Sequence, residues 1–169
     1  MKNKLKPLSM PLTILAALTV ASSAAADRVG HFATGSGQYE FTSPTGVTAL
    51  RTFAFEARQS SDGGVTGEAQ VDNRALGQRF HVRIDCLNVI GNIAVMSGNL
   101  TQAAGAGISV GDAAIFAVQD NGEGAGGPGD EITKTFENSG LVCTDVTPVN
   151  VGLYRNLLND IEGGNVQIH

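Results

Sequence analysis

Residues 79–96 read RFHVRIDCLNVIGNIAVM, and this stretch decides the fold class of the chain. Apolar and polar residues alternate from Arg79 to Cys86, which predicts a β-strand with one face in a core and the other in water or a polar cavity. The pair Gly91-Asn92 then separates two apolar runs, at a point where a tight turn requires a backbone with positive φ. We therefore predict a strand followed by an antiparallel hairpin.

The same alternation recurs in short segments along the chain, separated by turns rich in glycine, proline, asparagine, aspartate and serine. Residues 52–58, for example, place Phe53 and Phe55 on one face and Ala54 and Glu56 on the other. Strands at this short and fairly regular spacing predict an all-β protein, a single antiparallel β-barrel or sandwich. The other predicted strands are residues 29–34, 37–42, 65–72, 99–103, 112–119, 131–137, 141–144 and 165–169.

Helical periodicity occurs in one place, residues 151–162. Tyr154 and Leu158 fall on the same side of a helix, and Asn150 before them is a good N-cap residue. Gly163 is suited to end such a helix. The pattern predicts one short C-terminal helix that plugs an end of a barrel or packs on a sheet.

Residues 1–26 have the pattern of a secretory signal peptide. Three lysines are followed by an apolar core at residues 12–21, and Ala24 and Ala26 form an A-x-A cleavage site before Asp27. No later apolar run of about 18 residues follows, so we expect no membrane insertion after the signal is removed. The predicted location is secreted or periplasmic.

Removal of residues 1–26 leaves residues 27–169, enough for one β-rich domain with its own core. The removed segment carries three lysines and no acidic residue, so the net charge changes from −5 to −8. A chain this acidic repels phosphate backbones and anionic lipid headgroups. We therefore expect no nucleic acid partner, and instead a small molecule or a protein of unknown identity.

Cys86 and Cys143 are the only cysteines, and both belong to the predicted exported part. In an oxidising compartment, such a pair more often forms a disulfide than remains as two thiols. A disulfide across a loop of this length stabilises a fold by about 4 kcal/mol on the chain-entropy model. The alternative is two buried thiols that act as small apolar side chains.

Several short segments together resemble a group of small secreted bacterial β-rich proteins. They are GSG at residues 35–37, FAF at 53–55, CLNVIGNIA at 86–94, VQDNGEG at 118–124 and GNVQIH at 164–169. The resemblance covers most of the chain after residue 26. It implies an exported all-β domain and no particular chemistry.

The loop between residues 120 and 131 is the best candidate for a metal site. It contains four carboxylates and an amide among five glycines, without any basic residue, and calcium takes six to eight oxygen ligands. The candidate ligands are Asp120, Asn121, Glu123, Asp130 and Glu131. Their spacing does not match an EF-hand, so a solvated acidic hairpin is the alternative.

The polar face of the strand at residues 79–86 is the second candidate site. If it lines a barrel interior, His81 and Asp85 are suited to acid–base catalysis and Arg83 to binding an anionic ligand. If it points outward, it is an ordinary solvated face, which the apolar character of the opposite face favours.

Our leading hypothesis is a non-catalytic exported β-domain with a binding or structural role. The alternative is a small β-barrel enzyme or ligand carrier with a polar interior around His81, Arg83 and Asp85.

Overall fold

The structure is a computed structural model that describes residues 30–122 and 128–169. The predicted signal peptide and the predicted mature start at Asp27 lie outside these residues, as does Glu123 of the acidic loop.

The described chain forms one antiparallel sheet, curled into a half-barrel, with 59% of the residues in strands. Its strands are β1 (His31–Thr42), β2 (Thr48–Gln59), β3 (Val65–Asn73), β4 (Gln78–Ile90), β5 (Ile93–Ala104), β6 (Ala113–Gln119), β7 (Glu131–Thr133), β8 (Phe136–Glu137), β9 (Leu158–Asp160) and β10 (Gly163–Ile168). The strand order is β10-β1-β2-β3-β4-β5-β6-β7-β9, and β8 pairs with β6. The predicted all-β class is confirmed, with a single sheet and not a two-sheet sandwich.

The inner face of the half-barrel holds the main core, built from the apolar side of the period-2 alternation. Phe53 and Phe55 of β2 lie opposite Gly37 and Gly35 of β1. The glycines leave space for these rings, since a Cβ on Gly35 would lie 2.8 Å from Phe55 Cε1. The buried members of this core include Tyr39, Phe80, Val82, Ile84, Met96, Leu100, Phe116 and Val166.

A β-bulge in β4 moves the first cysteine to the other face of the sheet. Ile84 pairs with Gly98 and Cys86 pairs with Ser97, so Asp85 is an extra residue without a partner on β5. Gly98 permits this close approach, because a Cβ there would overlap the Arg83 carbonyl. The alternation from Arg79 to Cys86 predicts that Ile84 and Cys86 share a face of the strand. This prediction is wrong, since a uniform period of two does not continue through a bulge.

A second, smaller core lies on the outer face of β4, β5 and β6. The chain after β8 covers this face, beginning with a 3-10 turn at Cys143–Asp145. Cys143 forms a disulfide with Cys86, with a Cα–Cα distance of 5.9 Å. The Asn88 amide donates to the carbonyls of Cys143 (3.1 Å) and Val146 (2.7 Å). The covering segment is thus held by a covalent bond, hydrogen bonds and buried apolar contacts.

The C-terminal helix is much shorter than the periodicity predicts. It comprises the four residues Gly152–Arg155, named α1, and the chain returns to the sheet as β9 at Leu158. Tyr154 is buried in the second core, which satisfies the apolar pattern with one helical turn. The predicted strand at residues 141–144 is also wrong, because Cys143 belongs to the 3-10 turn.

Two aspartate side chains between β6 and β7 accept hydrogen bonds from β10, the strand at one end of the sheet. Val166 N donates to Asp130 Oδ2 at 2.7 Å, and Ile168 N donates to Asp120 Oδ2 at 3.0 Å. These donors belong to β10, whose other edge pairs with β1. We call this boundary, with its two carboxylates and two backbone amides, the seam.

Candidate functional site

A groove of about 550 Å³ lies on the solvent side of the sheet. It crosses the faces of β10, β1, β2, β3 and the start of β4, and its volume lies in the range typical of ligand sites. We call it the outer groove. Its polar lining residues are Thr34, Ser36, Glu56, Glu68, Gln70, His81, Asn165 and Gln167.

Strand register arranges these side chains in rows across the sheet. Ser36 pairs with Asn165 of β10 on one side and with Ala54 of β2 on the other, and Gln70 pairs with both Ala54 and His81. Because alternate residues point to opposite faces, the row lies on the face opposite the main core. Ala54 provides a small side chain on the floor of the groove.

The residues of the second predicted site lie on this solvent side. His81 lines the outer groove, whereas Arg83 and Asp85 are exposed outside it. Among the described residues, the side chains inside the half-barrel pack around a cavity of about 10 Å³, the size of one water. A polar interior around His81, Arg83 and Asp85 therefore does not match their placement.

The outer groove continues along β2 and β3 into two shallower depressions. The first shares Ala54 and Gln70 with the groove, and the second shares Glu56 and Glu68. Each depression contains an ion pair. Arg79 Nη2 lies 2.8 Å from Asp72 Oδ2, and Arg58 Nε lies 2.8 Å from Glu56 Oε1.

The acidic loop provides the two carboxylates of the seam, Asp120 and Asp130. Both carboxylate oxygens of Asp120 and of Asp130 accept backbone hydrogen bonds, one of each pair from β10. The second oxygen of Asp120 accepts from Gly122 N (2.9 Å), and that of Asp130 from Asn121 N (2.9 Å). These two predicted calcium ligands thus have a structural role whether or not they bind a metal ion.

The remaining described ligand candidates belong to the same network. Asn121 Nδ2 donates to Gly129 O (2.8 Å) and to Glu131 Oε2 (3.4 Å), while Asn121 Oδ1 accepts from Gln119 Nε2 (2.7 Å). Within residues 30–122 and 128–169, no group of three or more carboxylate, imidazole or thiol side chains is arranged to hold a metal ion. Calcium binding by the loop stays a prediction.

A buried ionic cluster occupies one end of the half-barrel, and the sequence reasoning missed it. Arg51 is 3% exposed, and its Nη2 atom lies 3.8 Å from Glu137 Oε1. The guanidinium also lies over the rings of Phe41 and Phe80, at 5.6 and 5.8 Å from their centroids. The strand alternation does indicate its position, because Arg51 is two residues before the inward-facing Phe53 on β2 and so points to the same face.

Burial changes the protonation of the groups around this arginine. It raises the pKa of Glu137, and the charge of Arg51 opposes that rise without cancelling it. Burial also raises the pKa of Tyr39, outweighing the charge and hydrogen bond of Arg51. The cluster therefore includes a carboxylate that is costly to ionise in the folded chain.

The chain matches no protein-family model, no curated protein and no solved structure in comparisons with known proteins. In the part of the chain that the structure describes, no helix has the length and apolar character needed to cross a membrane.

We expect Glu137→Gln to change the pH dependence of folding stability. Burial raises the pKa of Glu137 in the folded state above its pKa in the unfolded state. Protonated Glu137 therefore adds to the free energy of unfolding. This addition is complete below the unfolded-state pKa and is lost as pH rises through the folded-state pKa. The free energy of unfolding of Glu137→Gln minus that of wild type should therefore increase with pH. Urea unfolding from pH 3.5 to 7.5 measures it, with exposed Glu40→Gln as the control. A constant difference would contradict the prediction.

We expect Asp120→Asn and Asp130→Asn each to lower the free energy of unfolding by about 1–3 kcal/mol with a chelator present. Each change replaces one carboxylate oxygen by an NH2 group, which cannot accept a backbone N–H. Urea unfolding measures the loss, and Asp160→Asn, an exposed aspartate of β9, is the control. Losses no larger than that of the control would contradict a structural role for the seam.

A separate comparison tests calcium. Millimolar Ca2+ should raise the melting temperature of wild type, because an ion bound only by the folded state stabilises it, and should not raise that of the double variant Asp120→Asn/Asp130→Asn. An equal shift of the melting temperature in both proteins, or no shift in wild type, would contradict calcium binding by this loop.

Proposed function

We propose that the chain is an exported, non-catalytic β-domain that binds its partner in the outer groove. The observation that carries this proposal is the groove itself, a concavity of about 550 Å³ lined by aligned polar side chains, on a domain whose interior is filled. The ligand class is a small molecule or a larger partner with exposed polar groups.

The chemistry of the lining supports binding more than catalysis. Acid–base or nucleophilic catalysis needs a base within hydrogen-bond reach of a group that orients or activates it. Among the described residues, no hydroxyl or carboxylate side chain hydrogen bonds with the His81 imidazole. Arg83 and Asp85, the other members of the predicted catalytic and ligand set, lie outside the groove.

Export is part of the proposal. The signal-like residues 1–26, the disulfide between Cys86 and Cys143 and the resemblance to secreted β-rich proteins all support a secreted or periplasmic location.

We expect protein recovered from the periplasm or the culture medium to begin at Asp27 and to contain the disulfide. Intact mass before and after reduction and alkylation measures both properties. A retained N-terminus would contradict export through this signal, and two alkylated cysteines without prior reduction would contradict the disulfide in the exported protein.

We expect small polar probes to bind preferentially in the outer groove. The probes are glycerol, acetamide, acetate and methylammonium at millimolar concentration, each added to the isotopically labelled mature protein. Amide resonances of the lining residues should shift most, and Ala54→Trp, which fills the floor of the groove, should abolish the shifts. Ala104→Trp, an exposed alanine outside the groove, is the matched control. Shifts concentrated elsewhere would contradict the proposed site.

A further inference from the structure

The shape of the outer groove indicates an elongated ligand. The groove and its two adjoining depressions share lining residues and together extend along β2 from Thr52 to Arg58. Seven strand residues span about 20 Å at roughly 3.3 Å per residue. A compact small molecule would leave much of this surface uncovered, whereas a polymer of several units would cover it.

The charges along this path disfavour a polyanion. The arginines that line it, Arg58 and Arg79, each already pair with a carboxylate at 2.8 Å. Glu68 lies between them, directly opposite Glu56 on the neighbouring strand. An anionic polymer would meet no uncompensated positive side chain in the described lining, on a chain that is itself acidic.

The polar side chains suit a ligand rich in hydroxyl groups. Gln70 and Gln167 carry amides that both donate and accept, and the hydroxyl of Ser36 does the same. Thr34 Oγ1 donates to the backbone of β2 at 3.2 Å, which leaves its lone pairs to accept. The carboxylates accept from hydroxyl donors. A sugar hydroxyl both donates and accepts hydrogen bonds, and this surface offers partners of both kinds.

The backbone of the sheet disfavours a peptide strand as the ligand. An extended peptide binds a sheet by adding to an edge with unpaired N–H and C=O groups. The groove lies on the faces of β1, β2 and β3, each of which is paired on both sides. A peptide lying there would find side chains but no backbone ladder.

We propose that the outer groove binds an extended, uncharged polyhydroxylated polymer, a neutral glycan chain, without cleaving it. This inference rests on the proposed function of the groove and specifies its ligand class.

Titration calorimetry of the mature protein with linear neutral hexasaccharides tests this inference. The probes are cellohexaose, xylohexaose, mannohexaose and maltohexaose, each with its disaccharide. We expect at least one hexasaccharide to bind about tenfold or more tightly than its disaccharide, a gain of about 1.4 kcal/mol. Sodium chloride should change that affinity by less than about twofold, because screening acts on charged contacts. The hexasaccharide should be recovered intact after incubation.

Two pairs of variants locate the site. Gln70→Ala and Ala54→Trp should each weaken the hexasaccharide by about tenfold or more. The matched controls, Asn156→Ala and Ala106→Trp, change exposed residues that line neither the groove nor its two depressions and should leave the affinity unchanged. Circular dichroism and a melting curve for each variant separate loss of binding from loss of folding.

Each contrary outcome overturns a defined part of the proposals. If no hexasaccharide binds, the ligand class is wrong while the groove remains a candidate site. If a hexasaccharide binds with equal affinity to Ala54→Trp, both the ligand class and the proposed function of the groove fail. Cleavage of the hexasaccharide would overturn the non-catalytic assignment.

Discussion

A curled sheet that stops short of closing has two exposed edges, and the structure of this chain depends on how one of them is satisfied. Unpaired strand edges invite association with other chains, so folded proteins cover or block them. Here Asp120 and Asp130 provide carboxylate oxygens where a neighbouring strand would provide carbonyl oxygens, and they accept the N–H groups of Val166 and Ile168. Hydrogen bonds to ionised acceptors are stronger than those between neutral groups. The last strand of the chain is thereby held on both sides.

This constraint connects two regions that look independent along the sequence. The acidic loop holds β10 at the seam, and the outward side chains of β10, Asn165 and Gln167, form one wall of the outer groove. The described residues of the loop thus position a wall of the groove, although none of them is among its lining residues. A metal ion on the loop would act on the same carboxylates that hold the strand.

The sheet packs on both faces, but along different parts of its width. Its inner face buries the main core, and the outer face of β4, β5 and β6 buries a second core under the C-terminal segment. The bulge at Asp85 adds the disulfide to the second core, because it directs Ile84 inward and Cys86 outward within three residues. Within residues 30–122 and 128–169, no segment covers the outer face of β1, β2 and β3, and its polar rows line the groove.

The sequence by itself determined the fold class, most strand positions and the cysteine pairing, because alternation, turn residues and an even cysteine count are local properties. It did not determine the length of the C-terminal helix, because pairing of Leu158–Asp160 with β7 outweighs a weak helical preference. It could not place Cys86, since a bulge depends on the partner strand and on Gly98 in it. Nor could it reveal the seam, the Arg51 cluster or the groove, because each joins residues from separate strands. Whether a polar side chain accepts a backbone hydrogen bond, pairs inside the core or lines a groove is decided by its neighbours in space.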